Sequence, residues 1–131
     1  MPANTELRDY ADSAFGQHME NYAAIDLICL ATSDGFPIVS RSLDRIHFEL
    51  DTLAAASSTL HSVSNAVSKQ ILLKPFRVAF IESEKGNVAF VSLQLQQGEF
   101  VLTMSADESM NIGQLRVMIS RLAEQISNNF H

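Results

Sequence analysis

Asp34-Gly35-Phe36-Pro37-Ile38-Val39-Ser40 follows the apolar run Ile25-Asp26-Leu27-Ile28-Cys29-Leu30-Ala31 and precedes a long small-residue segment that begins near Phe48. Asp-Gly is a hairpin signal, because glycine adopts positive φ at little cost. The stretch therefore predicts a strand over 24–32, a tight turn at Gly35, and a short strand over 36–40. Apolar side chains occur at both parities of the first strand, which suits a strand covered on both faces.

Before this hairpin, Leu7, Tyr10, Ala11, Ala14, Phe15, His18 and Met19 recur at helical spacing, so 4–20 reads as an amphipathic helix. After it, 41–47 is polar and reads as a solvated loop. Residues 49–71 return to a helical period, with Leu53, Ala56, Leu60, Val63, Val67 and Ile71 as the expected buried stripe. The other face, Ala55, Ser58, Ser62, Asn65 and Lys69, is small and weakly polar, which suits close approach of another backbone.

Pro75 stops that helix, and Lys74 before it is biased towards extended backbone. Three strands follow, over 77–83, 87–93 and 99–105, with Lys85-Gly86 and Gln97-Gly98 as the turns of a meander. Asn111 with Gln114 three residues on forms a capping box, and Ile112, Leu115, Met118, Ile119, Leu122 and Ile126 give the last helix its buried stripe. The order is α-β-β-α-β-β-β-α. Its natural solution is an α/β fold with one mainly antiparallel five-stranded sheet and helices on both faces.

The chain has 131 residues, 47% of them hydrophobic, which suits one domain over 1–131 with a full core. Its net charge of −6 and pI near 5.0 disfavour nucleic acid and anionic membranes as partners. No apolar stretch approaches the roughly 18 residues of a membrane span, so no membrane insertion is expected. The first ten residues carry Glu6, Arg8 and Asp9 without an apolar run, unlike a secretory leader. Cys29 is the single cysteine and reads as a buried core thiol in a reducing, cytoplasmic setting.

Catalytic signatures are missing. The glycines at 16, 35, 86, 98 and 113 match neither a dinucleotide fingerprint nor a P-loop. His18, His47, His61 and His131 have no metal-ligand spacing, and there is no second cysteine for zinc. His18 reads as a core-edge residue, and His61 as a solvent or interface residue. Ser57 lies one helical turn before His61, but Asn65, not an acid, stands one turn after, so no base is oriented for a nucleophile. Glu82, Glu84, Asp107 and Glu108 sit at strand ends and before a helix, where acids need no catalytic explanation. No catalytic, cofactor-binding or metal residue is assigned, and no enzyme activity is expected.

The ordered pieces resemble the roadblock/dynein light chain family in its bacterial branch. The resemblance rests on 34–40, then Leu53-Ala54-Ala55-Ala56-Ser57, Val78-Ala79-Phe80-Ile81-Glu82 with Lys85-Gly86, Phe100-Val101-Leu102-Thr103-Met104, and Asn111-Ile112-Gly113-Gln114-Leu115-Arg116, and covers 22–126. It implies an α/β/α sandwich around a five-stranded sheet. It implies homo- or heterodimers, paired through the third strand and the long middle helices. It also implies a role in binding, scaffolding or regulating small Ras-like GTPases, without an arginine finger.

The residues agree on one point independently. The strand over 77–83 would lie at a sheet edge in a meander, and its centre carries no protective charge, which is a hazard unless something pairs with it. The expected interface, most simply in a homodimer, comprises Ala55, Ser58, Thr59 and Ser62 of the middle helix with Val78, Phe80 and Glu82 of the strand. Two other functions compete with the regulator: a structural dimerisation subunit indifferent to nucleotide, and a small-molecule sensor, for which no convergent polar pocket is evident.

Overall fold

Gly35 adopts φ +103°, and the turn it makes joins the first two strands of a five-stranded antiparallel sheet. The computed structural model describes residues 2–131, with side chains from Asn4 onwards. The elements are α1 (Pro2–Asn21), β1 (Ile25–Thr32), β2 (Pro37–Ser42), α2 (Leu50–Leu72), β3 (Val78–Ser83), β4 (Gly86–Leu95), β5 (Gly98–Asp107) and α3 (Ile112–Phe130). This is the α-β-β-α-β-β-β-α order expected from the sequence. Across the sheet the strands run β2-β1-β5-β4-β3. β1 lies inside the sheet, between β2 and β5, and is buried along nearly its whole length, as its apolar run requires.

The two faces of the sheet are unequal. On one, α1 and α3 supply Leu7, Phe15, Leu115, Ile119, Leu122 and Ile126 to the main core, all fully buried. The three- and four-residue spacings put these side chains on single helical stripes. α3 starts as expected: the Asn111 side chain accepts from the Gln114 amide at 2.8 Å, and the Gln114 side chain accepts from the Asn111 amide at 2.9 Å. On the other face, α2 covers only a small cluster of Ala31, Ala54, Phe90 and Val101, with Leu60 and Val88 at its margin.

Two expectations change. The segment 41–47 is not simply a solvated loop. Arg41 and Ser42 continue β2, opposite Ile28 and Leu27, and Arg41 Nε bonds Asp12 Oδ1 of α1 at 2.8 Å. Arg45 then reaches Asp26 at 3.4 Å and Asp107 at 3.6 Å, tying the connection to the ends of β1 and β5. A polar run reads as solvated when its carboxylate partners lie far along the chain.

The second change concerns α2. Its buried residues are Ala54, Ser57 and His61. Of the expected buried stripe, Leu53 and Leu60 are half-buried, whereas Ala56, Val63, Val67 and Ile71 are exposed. The apolar stripe is thus rotated away from the sheet by about the 100° that one residue subtends. Among the described residues, no helix is long and apolar enough to cross a membrane.

Candidate interaction surface

α2 sits on the sheet through small and polar side chains. Ser57 Oγ lies 3.2 Å from Thr103 Oγ1 of β5, and His61 Nε2 lies 2.9 Å from Ser92 Oγ of β4. The His61 ring also meets Phe76 edge-on, with centroids 5.3 Å apart. Ser57 is therefore directed at Thr103 and is not paired with His61 as a nucleophile with its base. Glu99 Oε1 stands 4.0 Å from the same Nε2 that faces Ser92, so it does not orient the imidazole from its other nitrogen. Burial lowers the His61 pKa, Glu99 opposes that shift, and Lys69 adds to it. His61, expected at solvent or an interface, is instead a buried strut between helix and sheet. His18 lies at the core edge as expected, half-buried, with Nε2 3.3 Å from Gln125 Oε1.

This seating leaves an apolar flank of α2 uncovered. Val63 and Val67 are each more than half exposed, and Ile71 is 71% exposed. The flank borders an open groove lined by Val63, Val67 and Leu72 on the helix and by Val78 and Ala79 on β3. Leu73 ends the helix in the left-handed region at φ +62°, its amide bonded to the Lys69 carbonyl, and projects a further exposed apolar side chain. β3 is an edge strand, as the meander implies. Its Val78 and Phe80 are half-buried against the main core, whereas Ile81 is exposed and Glu82 reaches solvent.

The expected interface residues fall into two groups. Val78, Phe80 and Glu82 occupy the β3 edge. Ala55 and Ser58 lie against the Gly35 turn, Ser58 Oγ donating to the Ser33 carbonyl at 2.6 Å, on the flank of α2 away from β3. Thr59 and Ser62 are exposed, and Thr59 Oγ1 donates to the Ala55 carbonyl within the helix. The α2 residues that line the groove beside β3 are Val63, Ser64, Val67, Ser68 and Leu72. Reading the most apolar stripe as core concealed Val63 and Val67. The usable signal was the competing stripe Ala54, Ser57 and His61, whose hydroxyls and imidazole could be satisfied by Thr103 and Ser92.

No protein-family model and no curated protein matches the sequence. Solved structures do match in fold. Myxococcus xanthus MglB superposes with a TM-score of 0.79 at 16% identity, covering 92% of this chain and 87% of that one. An MglB structure with a tetrameric arrangement gives 0.77 at 17% identity, covering 94% and 91%. A Roadblock/LC7 domain from Streptomyces avermitilis gives 0.71 at 16% identity, covering 86% and 90%. The chain has the roadblock/LC7 fold.

Proposed function

We propose that this chain is a non-catalytic, self-associating module of the cytoplasm that scaffolds or regulates a small Ras-like GTPase. The observation that carries self-association is the exposed flank of α2, Val63, Val67 and Ile71, continuous with the unpaired edge of β3. Monomeric proteins rarely leave such a surface open. A two-fold partner covers both features at once, extending the sheet through β3 and packing α2 on its own copy. The proposed seam keeps Val78, Phe80 and Glu82 and takes Val63, Val67 and Ile71 as the helical contribution. Ala55 and Ser62, on the other flank of α2, remain open for a further partner, whereas Thr59, one turn before Val63, borders the seam.

The GTPase assignment rests on the roadblock/LC7 fold and on the likeness to MglB structures. Sedimentation equilibrium tests the seam: wild-type protein should be dimeric, and Val67→Asp should give folded monomer with unchanged far-ultraviolet circular dichroism. Affinity capture with excess GDP or a non-hydrolysable GTP analogue tests the partner. A Ras-like GTPase recovered in one nucleotide state only supports regulation, since only differential affinity shifts a switch. Equal recovery of a larger complex in both states replaces it with a structural subunit.

A further inference from the structure

We infer that a second copy of this chain adds to β3 in one register, centred on Phe80, and that Glu82 of each copy neutralises Arg116 of the other. This rests on the self-association proposed above and fixes how it is specified.

The backbone sets the choices. Ser92 N–H donates to the Arg77 carbonyl, and Ser83 stands opposite Gly86 across the two-residue turn Glu84-Lys85. In an antiparallel ladder, hydrogen-bonded pairs alternate with non-bonded ones. Arg77, Ala79, Ile81 and Ser83 therefore spend their backbone groups on β4. Val78, Phe80 and Glu82 direct theirs outwards from the sheet edge. A two-fold axis perpendicular to the sheet preserves its faces, so outward residues of one copy must meet outward residues of the other.

Three registers pair at least two of Val78, Phe80 and Glu82 with one another, centred on Ala79, Phe80 or Ile81. Centring on Ile81 sets Arg77 against Lys85 and Phe80 against Glu82, placing like charges and a buried-edge ring opposite unsuitable partners. Centring on Ala79 calls on the Phe76 amide, which already donates to Asn65 Oδ1 at 3.1 Å. Centring on Phe80 uses all three outward residues: Phe80 faces its own copy, and Val78 faces Glu82 at both ends.

Charge agrees with that register. Val78 and Arg116 line the same two cavities beside the start of β3. Glu82 of the second copy, opposite Val78 and on the same face, arrives beside the Arg116 guanidinium. Among the described residues, Arg116 takes part in none of the chain's own ion pairs. The two-fold repeats the contact, so each dimer gains two such pairs.

Cysteine scanning tests the register. Opposed residues in a hydrogen-bonded antiparallel pair have Cα atoms about 5.5 Å apart, within disulfide reach. Under mild oxidation Phe80→Cys should give a covalent dimer in high yield, with Ala79→Cys and Ile81→Cys giving little; Cys29 is buried and does not compete. Preferential cross-linking of either neighbour overturns the register. Charge exchange is the second measurement. Arg116→Glu and Glu82→Arg should each weaken the dimer on the order of tenfold, and the double variant should restore it. A dimer indifferent to both single changes, or not restored by the double, overturns the ion pair while leaving self-association intact. A monomeric wild-type protein overturns the underlying reading instead.

Discussion

His61 Nε2 lies 2.9 Å from Ser92 Oγ, so the buried titratable residue of α2 is joined to β4 beneath the helix that the proposed partner would meet. The imidazole is only 3% exposed and also stacks edge-on with Phe76, which leads into β3. Helix, sheet and edge strand thus share one titratable strut. Because α2 covers so small an apolar cluster, this polar seam carries a large part of its docking.

Stability should fall on mild acidification through this residue. Burial lowers the His61 pKa below its ordinary 6.5, with Glu99 opposing and Lys69 reinforcing the shift. The unfolded chain therefore binds the proton more readily than the folded one. The contribution is fully present above pH 6.5 and is lost as pH falls from there to the lowered folded value. One proton limits the slope to about 1.4 kcal/mol per pH unit. Urea unfolding at pH 7.5 and 5.5 should give a lower midpoint in acid for wild type, and His61→Gln should reduce that difference. An unchanged difference would mean that another group governs the acid response.

Gly86 should be irreplaceable in a way that Gly98 is not. Gly86 has φ +151°, and a Cβ there would stand 2.2 Å from the Ala106 carbonyl oxygen, a backbone atom that cannot swing aside. Gly98 has φ +137° with nothing within 4 Å of a Cβ. Gly86→Ala should cost about 2–4 kcal/mol in urea unfolding, and Gly98→Ala about 1 kcal/mol from backbone strain alone. Since the Gly86 turn positions β3 against β4, Gly86→Ala should also weaken self-association, and Gly98→Ala should not.

The fold was legible because its punctuation is local. Asp34-Gly35, Lys85-Gly86, Gln97-Gly98 and the Asn111–Gln114 box each act within a few residues, and together they fix where strands and helices begin. The seating of α2 was less legible. Apolar content marks the Val63–Val67–Ile71 side as core, yet Ala54, Ser57 and His61 face the sheet because Thr103 and Ser92 wait there. Those partners lie 46 and 31 residues away in sequence. Periodicity measures the width of an apolar stripe, but it does not say whether the chain itself or another molecule covers it. The same distance hid the carboxylate partners of Arg41 and Arg45.

Gly16 and Arg41 should prove energetically coupled. Arg41 makes a two-pronged contact with Asp12, Nε to Oδ1 at 2.8 Å and Nη2 to Oδ2 at 3.3 Å, and this hydrogen-bonded guanidinium lowers the Asp12 pKa. To reach Asp12 it crosses Gly16 so closely that a Cβ there would lie 2.9 Å from Nη1. Glycine within a helix is less favourable than alanine by about 1 kcal/mol, so Gly16→Ala should stabilise α1 while pushing the guanidinium off its partner. The pair is roughly half exposed, and its loss should cost no more than about 0.2–1 kcal/mol, less at high salt. In wild type the two effects should nearly cancel. In an Arg41→Ala background nothing remains to displace, and Gly16→Ala should deliver most of its 1 kcal/mol helix gain. Urea unfolding of the four proteins at low and high salt measures the coupling. Equal gains in both backgrounds would mean that the guanidinium moves aside without surrendering Asp12.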